Sequence, residues 1–185
     1  MNNIIGFYAN NGNESNLYDC DYMQIELLGP HATTENAIAL ISKKSLELVI
    51  QFVWYLGNKG YPITHGTDDK TIVYGRGLKM HKLLFPNVQK GYVVDHINKN
   101  RLDNRLENLR ICTSKENSYN TKKPKNSINN YKGIVKQNND LWTARISKDG
   151  KVYEIKDIIS DKEAAKIYDI MAEELFGQYA GKNFE

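Results

Sequence analysis

The residues whose types and spacing could do chemistry lie between positions 93 and 120, in VVDHINKNRLDNRLENLRICTSKENSYN. Asp95 and His96 are consecutive, and Asn108 and Asn117 follow the histidine by 12 and 21 positions. Asp95 and Asn117 offer side-chain oxygens, which are the ligands that Mg²⁺ and Mn²⁺ prefer. The imidazole of His96 titrates near neutral pH and can take a proton from water. These residues therefore predict a site in which one hard divalent cation and a general base act on a phosphate.

The charge of the chain is concentrated around this stretch. The 185 residues have a formal net charge of +3, and residues 61–127 hold 13 of the 25 Lys and Arg but six of the 22 Asp and Glu. That block has a net charge of +7, whereas residues 1–60 carry −3 and residues 128–185 carry −1. A basic block of this kind is typical of a surface that binds phosphates. A solvated basic face without a partner, or a polar surface loop, is the alternative that charge alone leaves open.

The elements that must position these residues are a strand and a helix. GYVVDHIN is rich in residues of high β propensity and predicts a strand that includes Asp95 and His96. Consecutive strand residues point to opposite faces, so the two side chains can serve one site only if the strand twists or ends there. Thr113 or Ser114 predicts the N-cap of a helix that holds Asn117.

The remaining segments of the first half give weaker predictions. Residues 1–22 are rich in Asn and Gly and predict a loosely ordered lead-in, and MQIELLG predicts a strand. LELVIQFVWYL is compatible with a buried strand or the end of a helix, and periodicity does not decide between them. Three asparagines of the motif are interpreted as turn formers, namely Asn98, Asn100 and Asn104.

The C-terminal residues predict a small sheet followed by one helix. YKGIVKQ, LWTARISKDGK and KVYEIKDI predict three strands, and Asp149-Gly150 predicts a tight hairpin turn between the last two. An amphipathic helix is predicted to begin after Ser160, with Glu163 completing a capping box, and to end at Gly177. The fold class predicted for the whole chain is α+β, with a small three-stranded antiparallel sheet and one packed helix after the motif.

The motif resembles that of a known protein family. The string D-H-I-N-x-N-x-x-D-N-R-x-E-N-L-R resembles the His-Asn-His (HNH) nuclease motif. It is similar to the variant of phage and intron-encoded homing endonucleases in which an Asp-His pair is followed by two separate asparagines. The resemblance implies a ββα-metal module in which Asp95 and Asn117 bind the metal and His96 is the general base. It implies that Asn108 braces the loop and holds the base in place. No structural zinc is implied, because the zinc-binding cysteines of some HNH proteins are missing.

The C-terminal residues resemble a second family. Tyr131, Gly133, Trp142, the string AAKIYD and the closing NF are similar to the ethylene-response-factor/Apetala type of DNA-binding domain. That resemblance implies a sheet laid into the major groove of DNA. The implied contacts are Lys132, Lys136, Trp142 and Arg145. The glycine turn that usually follows the third strand is replaced here by IKDI.

These observations predict four segments. Residues 1–45 have no assigned role, residues 46–121 form the HNH nuclease domain, residues 122–130 are a basic linker, and residues 131–185 form the DNA-binding domain. No run approaches 18 apolar residues and no basic, apolar leader opens the chain, so we expect no membrane span and an intracellular protein of a bacterial or phage-infected cell.

The predicted function is a homing-type DNA endonuclease that depends on one Mg²⁺ or Mn²⁺ and hydrolyses phosphodiester bonds in double-stranded DNA. Nicking by a monomer or weak dimer is expected, since one site handles one strand. Further DNA contacts are predicted at Arg101, Arg105, Arg110, Lys122 and Lys123. The alternatives are a DNA-binding regulator or a phage-encoded interaction protein with a non-catalytic HNH fold, and a nuclease that acts on RNA.

Overall fold

The computed structural model describes residues 4–33, 37–65, 77–123, 129–138 and 140–184. The chain divides into two compact units, Met1–Cys112 and Thr113–Glu185. The domain boundaries predicted from the sequence, at 45/46 and 121/122, do not coincide with this division. The assignment of functions to the predicted domains stays a prediction. Within the described residues, no helix is long and apolar enough to cross a membrane.

The first unit opens with a sheet that the sequence did not predict in full. In chain order its elements are β1 (Ile4–Tyr8), β2 (Tyr22–Glu26), β3 (Ile38–Ser42), α1 (Leu46–Val49), β4 (Tyr55–Leu56), β5 (Pro62–Thr64), β6 (Leu78–Lys79), α2 (Met80–Leu84), β7 (Tyr92–His96), β8 (Asp103–Asn104) and β9 (Leu109–Thr113). The first sheet has the order β1-β2-β3-β8, with β1 and β3 antiparallel to β2 and β8 parallel to β3. Residues 4–22 are therefore not a loose lead-in, because β1 pairs with β2.

Alternation of apolar residues explains why the first sheet forms. Met23 and Ile25 on β2 and Ala39 and Ile41 on β3 are fully buried, with Trp54 in the same core. The predicted strand MQIELLG is thus confirmed in β2. The ambiguous run LELVIQFVWYL contains the single turn of α1 and the short strand β4, so neither of the two options describes it fully.

The motif residues lie on β7, β8 and β9. The strand predicted around Asp95 and His96 is confirmed as β7, which pairs with β9 in a two-stranded sheet. β8 joins the first sheet, where Asp103 and Asn104 pair with Leu40 and Ile41 of β3. The amide of Leu40 also donates to the carbonyl of Leu102 at 2.8 Å. The motif loop is therefore fixed to a strand that lies about 60 residues earlier in the chain.

The second unit begins with the helix α3 (Ser114–Tyr119). Its predicted start is confirmed: Thr113 is the N-cap, and its side chain and that of Glu116 form a capping box. Three antiparallel strands follow, β10 (Ile134–Lys136), β11 (Trp142–Lys148) and β12 (Lys151–Ile158), and then α4 (Asp161–Phe176). Ser160 caps α4 by accepting from the amide of Glu163, and Gly177 ends it. The predicted α+β class is confirmed.

One glycine of the second unit is required by packing as well as by its backbone. Gly133 has a φ of 72°, and a Cβ at this position would lie 2.0 Å from Cδ2 and Cε2 of the buried Tyr168. We expect Gly133→Ala to lower the free energy of unfolding by about 1–3 kcal/mol more than Gly150→Ala. Gly150 is the matched control, because it has a φ of 79° and open space around its Cα. Urea unfolding measures both, and equal losses would contradict the close packing on Tyr168.

Candidate active site

His96 is the last residue of β7, and its imidazole is buried. Its Nε2 lies 3.3 Å from Oδ1 of Asn104. With a hydrogen on Nε2 the ring donates to this amide oxygen, and the basic nitrogen is then Nδ1. Burial lowers the pKa of His96 below its usual value, although the Asn104 hydrogen bond and the charge of Asp95 oppose the shift. The imidazole is therefore neutral at pH 7, which is the form that a general base needs.

Asn104 is a functional residue that the sequence interpretation missed. Its side chain is fully buried, and its amide nitrogen donates to the carbonyl of Arg101 at 3.2 Å. This local bond fits the interpretation of Asn104 as a turn former, but β8 also pairs with β3 and holds the asparagine against His96. Asn98 and Asn100 do form local turns, since their side-chain oxygens accept from the amides two residues ahead.

Asn108 joins the end of β7 to the motif loop. Its side-chain oxygen accepts from the amide of Asn98 at 3.0 Å, and its carbonyl accepts from the amide of Ile97 at 2.8 Å. Its side-chain nitrogen donates to Oδ1 of Asn98 at 3.0 Å and to the carbonyl of Asp103 at 2.8 Å. Through these four hydrogen bonds, the buried Asn108 fixes the backbone that follows His96.

Asp95 is buried and forms an ion pair with Arg110 of β9. Nη2 and Nε of Arg110 donate to Oδ2 of Asp95 at 2.7 and 3.0 Å. A second pair lies in the loop, where Nη2 and Nε of Arg105 donate to the two oxygens of the buried Asp103 at 2.7 and 2.8 Å. Arg105 and Arg110 were predicted to contact DNA; that role stays a prediction, and both guanidinium groups already bind internal carboxylates. The ion pairs arise because buried aspartates require a charged partner.

Arg101 is exposed, as its predicted contact with DNA requires. Its guanidinium Cζ lies 4.6 Å from the centroid of the Tyr61 ring, and Nη1 donates to the carbonyl of Lys59 at 2.6 Å. Among the described residues it forms no ion pair. Its positive charge is therefore not neutralised within the described part of the chain.

His81 on α2 lies against His96. The two ring centroids are 5.1 Å apart at an interplanar angle of 88°, and His81 is buried. Nδ1 of His81 is buried without a hydrogen-bond partner. Burial, with the nearby charges of His96, Lys79 and Lys82, lowers the pKa of His81 to about 3. The neutral ring of His81 therefore forms part of the wall that surrounds His96.

The low pKa of His81 predicts a loss of stability in acid. The pKa is about 6.5 in the unfolded chain and about 3 in the folded chain, so the unfolded state binds more protons between these values. The contribution to stability is complete above pH 6.5 and is lost as the pH falls toward 3. We expect the wild type to lose about 1 kcal/mol per pH unit relative to His81→Phe in urea unfolding between pH 6 and 4. Parallel pH profiles for the two proteins would contradict this expectation.

Asn117, the second predicted metal ligand, is half-buried on α3 in the second unit. Within that unit, the ring of Tyr119 stacks on Phe176 of α4 at 3.9 Å between centroids. Nζ of Lys132 donates to the carbonyl of Tyr119 at 3.0 Å. Lys115 forms an ion pair with Asp149 at 2.6 Å. The helix that holds Asn117 is thus packed on the C-terminal sheet and helix.

The predicted DNA contacts of the second unit lie in different environments. Arg145 is exposed on β11, beside Glu154 at 3.2 Å, and Lys136 is exposed and paired with Asp140 at 2.7 Å. Trp142 packs against the core of the second unit, and the amine of Lys132 is held by backbone carbonyls. Lys132 and Trp142 thus have contacts inside the unit, and their predicted contacts with DNA stay predictions.

The linker lysines differ from each other as well. Lys122 is exposed, whereas Nζ of Lys123 donates to the carbonyl of Asn129 at 2.7 Å. The linker residues 124–128, which were predicted to separate the domains, lie outside the described residues.

The donor chemistry of Asp95 and Asn117 fits a hard divalent cation. Both side chains offer an oxygen atom, which is the ligand that such a cation prefers. Within the described ranges, no three side chains of the His, Cys, Asp or Glu type are grouped so that they could hold a metal.

Comparisons with known proteins identify the family of the chain. The family model described as HNH endonuclease matches residues 82–119, which include Asp95, His96, Asn108 and Asn117. An uncharacterized HNH endonuclease of Acanthamoeba polyphaga mimivirus, L560, is 33% identical over 154 residues, covering 80% of this chain and 76% of that protein. Protein 3.8 of Escherichia phage T7 is 35% identical over 94 residues, covering 50% of this chain and 77% of that protein. The search of solved structures found no match. Because the mimivirus relative matches most of both chains and the family motif includes His96 in its buried site, the chain belongs to the HNH endonuclease family.

Proposed function

We propose that this protein is a homing-type, metal-dependent endonuclease that nicks double-stranded DNA, with His96 as the general base. The observation that supports this most is the buried imidazole of His96, which Asn104 orients and which lies next to the carboxylate of Asp95 in the chain. The lowered pKa of His96 keeps the base ready at neutral pH.

His96 acts by removing the proton from the attacking water. The Nε2–H bond to Asn104 fixes the ring plane and leaves Nδ1 as the nitrogen that accepts the proton. The charge of Asp95 favours the imidazolium that forms, and the proton is then released to solvent. Asn108 holds the backbone after His96, so the ring does not move during the transfer. General base catalysis of this kind contributes about 10²–10⁴-fold.

Asp95 and Asn117 are the residues that would hold the divalent cation, Mg²⁺ or Mn²⁺. HNH endonucleases use a divalent metal ion, and when bound it stabilises the charge that develops on the leaving oxygen and the phosphate. The ion pair with Arg110 limits the rotation of the Asp95 side chain. Asn108 is assigned to bracing and not to the metal, because all its side-chain polar atoms are used within the loop.

DNA binding is proposed for both units. In the first unit the exposed Arg101 contacts the phosphate backbone. In the second unit, the open side of the sheet forms a groove lined by Val135, Gln137, Thr143, Arg145, Glu154 and Lys156. We propose that this unit acts as an ethylene-response-factor/Apetala-type DNA reader, with Arg145, Lys136, Lys122 and Lys123 as contacts. A single site in each chain acts on one strand at a time, so a monomer or weak dimer produces nicks.

Conversion of supercoiled plasmid to nicked and linear forms tests this proposal. Wild-type protein should nick duplex DNA with Mg²⁺ or Mn²⁺ and should be inactive with EDTA, and duplex RNA in the same buffer should stay intact. DNA binding without cleavage in either metal would contradict the endonuclease. Preferential cleavage of RNA would contradict the assignment of the substrate.

A further inference from the structure

A group of positive charges surrounds one tyrosine near His96 in the first unit. We call it the Tyr61 cluster, and it consists of Lys59, Tyr61, Lys79, Lys82 and Arg101. Nζ of Lys79 lies 4.1 Å from the centroid of the Tyr61 ring, and Cζ of Arg101 lies 4.6 Å from it. The ring of Tyr61 lies 6.0 Å from that of His96 and 5.2 Å from that of His81. The cluster therefore adjoins the proposed base.

The four cations of the cluster repel one another. Burial lowers the pKa of Lys79, and the charges of Lys82, Lys59 and Arg101 lower it further. Within the described ranges, the ion pairs include none of these four residues. Three contacts oppose this repulsion: the cation–π contacts of Lys79 and of Arg101 with Tyr61, and the hydrogen bond from Arg101 to the carbonyl of Lys59. The fold thus keeps like charges close together without an internal counter-ion in its described part.

The other motif arginines of the first unit are in the opposite situation. Arg105 and Arg110 each lie against a buried aspartate at 2.7 Å. Their charges are used to satisfy internal carboxylates, whereas those of the Tyr61 cluster are directed to an exposed or half-buried surface. An anion that approaches this part of the unit would therefore relieve repulsion at the cluster, and the arginine–aspartate pairs would give little net attraction.

We propose that the Tyr61 cluster binds a backbone phosphate of the DNA strand, within a few nucleotides of the bond that His96 attacks. This rests on the proposed nuclease function. The ring distances place the cluster about 10 Å or less from His96, and successive nucleotides rise about 3.4 Å along a strand. Arginine and lysine both bind phosphate oxygens, the former through two parallel donors. A phosphate held at the cluster would fix the position of the strand beside the base, which is where binding contributes to rate.

Equilibrium binding of full-length protein to a fluorescent DNA duplex in EDTA tests the cluster without cleavage. Lys79→Gln and Arg101→Gln should each weaken binding roughly tenfold. Each should lower the slope of log K against log salt by about 0.9, the value for one lost phosphate contact. Tyr61→Leu should weaken binding in the same direction, whereas Tyr61→Phe should restore it because an aromatic face is kept. Lys44→Gln, which removes an exposed charge outside the cluster, is the matched control.

Unfolding midpoints of all variants should match that of the wild type, so that losses of affinity are not losses of fold. Affinities and salt slopes of Lys79→Gln and Arg101→Gln that equal those of Lys44→Gln would overturn the phosphate site. If Tyr61→Phe binds as weakly as Tyr61→Leu, the role of the aromatic face is overturned. The nuclease proposal fails separately: a wild type that needs the cluster for binding but cuts no DNA in Mg²⁺ or Mn²⁺ would retain the phosphate site and lose the catalytic assignment.

Discussion

Replacing His96 by alanine is expected to lower the rate of DNA cleavage by about 10²–10⁴-fold while DNA affinity changes little. The variant removes the only imidazole that Asn104 orients in the described part of the chain, and with it the group that we propose takes the proton from water. The cluster of cations around Tyr61 remains, so binding of the duplex should persist. Cleavage of supercoiled plasmid at saturating Mg²⁺, together with anisotropy in EDTA, separates the two effects.

Two controls make the His96 result specific. His31→Ala removes an exposed histidine and should cut like the wild type. Asn104→Ala removes the partner of Nε2 but leaves the base, so its rate should fall less than that of His96→Ala. Cleavage by His96→Ala at the wild-type rate would show that another group is the base. Loss of DNA affinity equal to the loss of rate would show that His96 acts in binding.

Replacing Asp95 by asparagine is expected to have two separable effects. It removes a charge from the proposed metal site, and it leaves the guanidinium of Arg110, which is 14% exposed, without its carboxylate. Breaking a buried ion pair on one side destabilises a protein by about 3–5 kcal/mol. We therefore expect a large drop in the free energy of unfolding in urea, and a higher concentration of Mn²⁺ for half-maximal cleavage.

The double variant Asp95→Asn/Arg110→Met separates stability from chemistry. Removing both charges should recover most of the lost stability, because no unpaired charge remains buried. Cleavage should stay low, because the proposed metal ligand is still missing. Recovery of full activity in the double variant would contradict the assignment of Asp95 to the metal. An unchanged Mn²⁺ titration in the single variant would contradict it as well.

Local signals in the sequence predicted the elements whose partners lie nearby. The capping box of Thr113 and Glu116 involves residues three positions apart, and the Asp149-Gly150 turn has the positive φ angles that close a two-residue hairpin. The strand with Asp95 and His96 follows from β-branched residues, and both side chains are buried because the strand ends at His96. In each case the information needed is within a few residues.

The parts that the sequence did not reveal depend on distant pairing. Asn104 has the composition of a turn residue, and only its pairing with Ile41 places it at His96. The sequence predicted Arg105 and Arg110 as phosphate ligands. No local pattern shows that Asp103 and Asp95 are buried and form ion pairs with these arginines. The packing of α3 on Phe176 likewise joins residues about 57 positions apart. A single sequence gives no information about which distant residues form such contacts.

The pairing of β3 with β8 determines when the proposed active site can form during synthesis of the chain. Ser42 accepts from the amide of Leu106 and donates to Glu107, and Leu40 is paired with Asp103, so the base and its orienting amide depend on a strand made much earlier. Closing so long a loop is slow compared with forming local turns. On the ribosome, β3 must therefore wait until residue 104 and the residues after it have emerged. A chain that ends before β8 lacks Asn104, the partner of the His96 imidazole, so the proposed catalytic site forms only once this long-range pairing is complete.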